Sequence, residues 1–185
     1  MKRLAFALSA LLLLTDVALA RPVASVEVPE TLSVGGKTLK INGAGIRKKF
    51  VIKVYVGALY LEENATDPAA ILKADSARAL QMVFLRSVDK AKILGAYKEG
   101  FEKNAADKAA IWQPALEKIS GVIGDAKDGT TILVTYVPGK GTTVSVQGGG
   151  SVTIEGKDFA DAMFSLWLGK DPADGGLKRE ILAGK

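Results

Sequence analysis

Residues 42–63 read NGAGIRKKFVIKVYVGALYLEE, and no other stretch of the chain narrows the fold so far. From Phe50 to Leu61 the residues are strand formers that alternate between two faces. Phe50, Ile52, Val54, Val56, Ala58 and Tyr60 share one face, which is apolar from end to end. Lys49, Val51, Lys53, Tyr55, Gly57, Leu59 and Leu61 share the other, charged at first and apolar later. A strand that is apolar on both faces must be covered on both, so over its second half this one is sandwiched between layers. Just ahead of it, Asn42–Gly45 reads as a glycine-rich turn that delivers Arg47 to the start of the strand. Followed by Lys48 and Lys49, Arg47 reads on its own as part of a solvated turn; a charged group aimed into a cleft is the alternative that its place before so apolar a strand leaves open.

Around this strand the pattern alternates between sheet and helix. Val26–Val34 alternates apolar and polar residues and turns through Gly35-Gly36-Lys37 into Thr38–Ile41, which predicts a hairpin. Asp67-Pro68 opens a short helix ending near Lys73, and Ala77–Leu85 is the next strand. Helices follow over 89–104 and about 111–123, then strands over 130–137, 142–147 and 151–154. A helix over 157–168 carries Phe159, Met163, Leu166 and Trp167 on its apolar stripe, and a final short helix spans 174–182. Strands in hairpins with helices gathered between them imply an α+β domain, an antiparallel sheet with helices over one face.

The first twenty residues, MKRLAFALSALLLLTDVALA, place Lys2 and Arg3 before a short apolar run and end in a small-x-small Ala18-Leu19-Ala20. That is the form of a cleaved secretory leader, too short in its apolar part to span a bilayer. It implies a mature domain over 21–185 and a periplasmic location. The chain contains no cysteine and no histidine. Zinc sites, Ser-His-Asp triads and Cys-His dyads thus lack their donors, and the scattered carboxylates do not form an oxygen cage, so no metal and no cofactor is expected. The net charge of +5 comes from lysines spread along the chain, which reads as a solvated surface and not as a nucleic-acid footprint. No second apolar run is long enough for membrane insertion.

The helix at 89–104 presents Ile93, Tyr97, Gly100, Phe101 and Asn104 on one stripe. Tyr97 and Asn104, seven residues apart, lie about 20° apart around the axis and two turns along. A glycine in mid-helix costs on the order of 1 kcal/mol, so Gly100 marks a place where something approaches closely. Close packing with Tyr97 as a core aromatic is one reading; a pocket wall is the other.

GAGIRKKF followed by VIKVYVGALYLEE, the helix LGAYKEGFEKN, and the C-terminal DFADAMFSLWLGKDPADGGLKREIL together resemble the chalcone isomerase family, in the same order over essentially the whole mature chain. With the leader and the compact size, the likeness is greatest to the bacterial chalcone-isomerase-like proteins. The resemblance implies an open-faced β-sandwich with a cleft between sheet and helices. Arg47, Tyr97 and Asn104 match positions that support substrate in the plant enzymes; in the plant fatty-acid-binding members the matching arginine and a tyrosine hold a carboxylate. Where the enzymes carry two threonines, this chain has Tyr55 and, near the second, Leu166.

Three functions follow from these residues. In the first, the cleft binds a small amphipathic acid such as a fatty acid, with Arg47 as charge partner, Tyr97 and Tyr55 as hydroxyl donors, and Asn104 beside the tail. An arginine in a partly apolar cleft stays protonated, and an anion carrying its own apolar tail offsets both the charge and the cavity. In the second, Arg47 and Tyr97 are catalytic in an isomerase acting on an unsaturated phenolic ketone. In the third, Leu166, Trp167, Phe101 and Phe164 fill the cleft and the protein is structural.

Overall fold

The computed structural model describes residues 20–184. The leader lies outside the described residues except for its last, Ala20, with which the first strand begins. That strand, β1 (Ala20–Val23), pairs with β2 (Val26–Pro29) in a separate two-stranded ribbon. Seven further strands form one antiparallel sheet in sequential order: β3 (Thr31–Val34), β4 (Lys37–Lys49), β5 (Ile52–Leu61), β6 (Arg78–Phe84), β7 (Thr131–Val137), β8 (Gly141–Val146) and β9 (Ser151–Ile154). The helices are α1 (Pro68–Lys73), α2 (Lys90–Asn104), α3 (Ala109–Ser120), α4 (Lys157–Leu168) and α5 (Gly175–Ile181). The expected α+β class and open-faced sandwich are what the chain forms.

The sandwiching of β5 is also as expected, since every residue from Val54 to Leu61 is buried. Tyr55, Leu59 and Leu61 belong to the large core shared with the helices. Val56, Ala58 and Tyr60 face a smaller core closed by the β1–β2 ribbon through Val23, Val26 and Val28. The Tyr60 hydroxyl fastens the ribbon by donating to the Pro29 carbonyl at 2.9 Å. The sheet's second face is thus covered by the chain's own first strands. The continuous strand expected over 26–34 is broken at Glu30, because its first half pairs with β1 and its second with β4.

Asn42–Gly45 is not a turn. It lies inside β4, which runs unbroken to Lys49 and is bent by register shifts between Ile41 and Gly43 and between Arg47 and Lys48. The turn comes later, at Phe50-Val51. The glycines serve a different need. The short strand β3 pairs β4 only as far as Lys40, which leaves the following edge of β4 open, and α5 lies against it. A Cβ on Gly43 would stand 2.9 Å from the Cα of Ile181, and one on Gly45 would run into the side chain of Glu180. Carboxylates from the α5 region then satisfy the edge: Ile46 N–H donates to Glu180 Oε2 at 3.0 Å and Lys48 N–H to Asp174 Oδ2 at 2.7 Å. Asn42, fully buried, donates to the carbonyls of Ile181 and Ala65 and accepts from Ala65 N–H. An open sheet edge is closed by a helix that only glycine lets approach.

Helix α4 runs through the middle of the helical layer. Apart from Asp161, every residue from Phe159 to Leu168 is buried, far more than one stripe. Arg78 on β6 holds it to the sheet. This guanidinium is fully buried and lies between the rings of Tyr136 and Phe164, 4.9 Å from each centroid. It donates to Asp161 Oδ1 at 2.8 Å and to the carbonyls of Ile71 and Ala74. Lys157 adds a second cation to Asp161.

Two stability outcomes follow. Asp161→Ala strips the buried guanidinium of its carboxylate and should cost about 3 kcal/mol in urea unfolding, at the low end for a broken buried pair because Asp161 is 26% exposed. Gly43→Ala forces α5 off the sheet edge and should cost on the order of 1–3 kcal/mol in the same measurement.

Candidate functional site

A cavity of about 390 Å³ opens between the sheet and helices α2 and α4, near the lower end of the roughly 300–1,000 Å³ usual for small-molecule sites. Its deep part is apolar: Val54, Tyr55, Met82 and Phe84 from β5 and β6, Ile93 and Tyr97 from α2, Leu166 and Trp167 from α4. Its mouth is charged, with Arg47, Lys48, Lys49, Lys92 and Lys103 against Glu99 and Asp171. Phe101 and Phe164 are fully buried elsewhere in the core, and Leu166 and Trp167 form wall, so the four side chains expected to be able to fill the cleft leave it open.

The strand geometry explains the placement of Arg47. Directly paired residues share a face, and Arg47 is opposite Tyr55, which is opposite Phe84. Gly43, Gly45 and Arg47 alternate onto the helix side of β4. Helix α5 covers the two glycines, begins at Gly175, and leaves Arg47 uncovered at the cavity mouth. The half-buried guanidinium lies 5.7 Å from the centroid of the Tyr55 ring. Among the described residues it has no ion pair. Of the carboxylates that feel its charge, Glu99 is paired with Lys103, and Asp174 is already committed: burial pushes its pKa up, but backbone N–H donors from Lys48, Leu177 and Gly176, together with Arg47, hold it below the usual carboxylate range.

Tyr97 is buried and its hydroxyl, also buried, has no hydrogen-bond partner among the described residues. Its ring meets Trp167 edge-on at 6.1 Å between centroids. Burial, and secondarily the nearby Tyr55, raise the pKa of its phenol far above the ordinary value. Tyr55 accepts a hydrogen bond from Trp167 Nε1 at 2.8 Å, which leaves its own proton free to donate. Its pKa is raised as well, by burial, although Arg47 and the Trp167 bond pull the other way. Arg47, Tyr55 and Tyr97 are thus brought to one cavity.

Asn104 is not brought there. Its amide donates to the Gly100 and Asp171 carbonyls and accepts from Asp171 N–H at 2.9 Å, so it fastens the segment after α4 to the end of α2. Gly100 faces Leu166, whose Cγ would lie 2.6 Å from an added Cβ. The mid-helix glycine therefore serves helix packing. Trp167 is the residue whose role the sequence concealed: it sat in an apolar stripe, although a buried indole N–H always requires an acceptor.

An antiparallel sheet under a helical layer, with a basic-mouthed apolar cleft between them, defines the class. The chain belongs to the chalcone isomerase-like family, whose model matches residues 20–183. Among solved structures, a fatty-acid binding protein of Arabidopsis thaliana shares the fold with a TM-score of 0.65 and 16% identity, over 88% of this chain and 94% of that one. No curated protein matches the chain.

All four tyrosines of the chain have raised phenol pKa values, chiefly through burial, that of Tyr136 to about 12. Below about pH 10, the ordinary phenol value, both folded and unfolded states keep these protons, and the stabilisation is complete. Above it the unfolded chain releases protons that the fold retains, so stability should fall as pH rises. Alkaline titration should show phenolate absorbance appearing together with unfolding; tyrosines that ionise in a chain still folded by circular dichroism would contradict this burial.

Proposed function

We propose that this protein binds a small amphipathic carboxylic acid, such as a fatty acid, with its head at Arg47 and its tail in the cavity. One observation carries the reading: among the described residues a half-buried guanidinium has no ion pair and a buried phenol has no hydrogen-bond partner, and both line the same apolar cavity. Buried polar groups of this kind are ordinarily satisfied, and a carboxylate satisfies both at once. It accepts a charge-assisted bond from Arg47 and a neutral one from Tyr97, while Tyr55 is oriented by Trp167 to donate a third. The fatty-acid-binding relative of the same fold supports this choice of ligand. The leader sequence supports export to the periplasm, where the mature chain would begin at Arg21.

The rival reading, an isomerase acting on a chalcone-like ketone, draws on the same arginine to stabilise a developing anion. Asn104, which the family resemblance assigns to substrate support, is bound here to backbone. Loss of hydroxychalcone absorbance faster than in buffer alone is the result that would favour the enzyme.

Titration of a fluorescent fatty acid separates the roles. Arg47→Ala should cost at least about 2 kcal/mol of binding, the scale of truncating a charged partner. Tyr97→Phe should cost about 1 kcal/mol. Asn104→Ala should lower thermal stability, because it frees the segment after α4, and change affinity by no more than about 1 kcal/mol. An Arg47→Ala protein with unaltered affinity would defeat the reading.

A further inference from the structure

The turn between β4 and β5 carries the most exposed large hydrophobic side chains among the described residues. Phe50 and Val51 form a two-residue hairpin loop, each 91% exposed, and Ile52 beside them is 45% exposed. Among the described residues only Ile111 is a further exposed large hydrophobic. Phe50 has φ +58°, a positive value at the first central position of a hairpin where glycine is the favoured residue. A bulky aromatic is therefore held in a conformation that costs it strain, with its ring turned out to water. Burial in the fold does not explain its presence, so a surface that covers it does.

The surroundings identify that surface by charge. Lys48, Lys49 and Lys53 flank the tip, all exposed, and among the described residues none of their side chains has an ion pair. Glu99, the acid that senses Lys49 and Arg47, is already paired with Lys103. An apolar wedge ringed by unpaired lysines matches the interface of an anionic bilayer, where the rings enter the acyl boundary and the ammonium groups meet phosphates. A protein partner of equal fit would need an acidic rim around an apolar socket; a bilayer offers both properties without a specific sequence.

We propose that the Phe50–Val51 tip docks this protein peripherally on anionic phospholipid bilayers. No helix among the described residues is long and apolar enough to cross a membrane, and the contact proposed is made by the tip and its lysines. Phe50 also borders the mouth of the cavity, so docking brings the cavity opening to the lipid surface. This deepens the amphipathic-acid reading by giving the ligand a route from the bilayer, but docking itself does not require that reading.

Flotation of the purified mature protein with vesicles tests it, comparing phosphatidylcholine alone with phosphatidylcholine containing phosphatidylglycerol. The wild-type protein should float with the anionic vesicles at low salt and be released as salt rises, at about fivefold in partitioning for each lysine neutralised. Phe50→Gly with Val51→Ser should reduce the bound fraction at least tenfold, about the scale for withdrawing two apolar side chains. Folding failure does not confound this variant, because glycine relieves the positive φ and the melting temperature should hold or rise. Val51 does not line the cavity, so Val51→Ser alone should weaken flotation and leave fatty-acid affinity in solution unchanged. The proposal is overturned if the wild-type protein ignores anionic vesicles, if the tip variant floats equally well, or if the tip drives self-association in sedimentation instead of vesicle binding. If Arg47→Ala leaves fatty-acid affinity intact while flotation still depends on the tip, the cavity reading fails and docking stands.

Discussion

A buried charge must be answered, and the answer Arg78 receives sets the spacing of the two layers. Its guanidinium sits fully inside, sandwiched by Tyr136 from the sheet and Phe164 from α4, and its protons reach Asp161 and the end of α1. Three elements are thereby held by one cation. The unsatisfied alternative would cost several kcal/mol, so α4 has little freedom to slide on the sheet. Leu166 and Trp167, two and three residues past Phe164 on the same helix, form the cavity wall. The cavity lies between the sheet, α4 pinned at Arg78, and α2, whose Tyr97 and Phe101 pack on aromatic rings of the other helices.

The two arginines of the helix side illustrate opposite solutions to the same electrostatic problem. Arg78 is fully buried and its charge is answered internally by Asp161 and two backbone carbonyls, with Nε left without a partner among the described residues. Arg47 is half-buried, faces an apolar cavity, and its nearest acidic neighbours are engaged by backbone donors or by lysine. A fold that can enclose a guanidinium as completely as it does at Arg78 has left the second one facing open space. Tyr97 repeats the contrast, since Tyr60 and Tyr136 donate to Pro29 and Asp75 while the Tyr97 hydroxyl has no such partner among the described residues.

Much of this could be read along the chain. The helices at 90–104 and 157–168 and the strands from β5 onward follow from periodicity, and the short helices α1 and α5 from their caps Asp67 and Asp174, whose side chains accept from the first backbone N–H groups. The pairing of Arg47 with Tyr97 came from the family resemblance of their two segments. The glycines of NGAGIR were misread because glycine signals a turn and a close approach equally well, and only the position of α5, more than 130 residues away, tells them apart. Asn104 lies outside the cavity lining for a related reason: its helical phase agrees with Tyr97, but its side chain sits at the helix end, where the Asp171 backbone engages it.

The sequence by itself determined the helices, the strands from β5 onward, the two-sided covering of β5 and the absence of imidazole and thiol chemistry, because these depend on residue type and local period alone. Tertiary structure decided which polar groups stayed unpaired. Whether an arginine or a tyrosine hydroxyl is satisfied depends on what the rest of the chain brings within about 3 Å, and no local pattern contains that distance. Arg78 and Arg47 look alike in the sequence; the fold surrounded one and left the other at the mouth of a cavity.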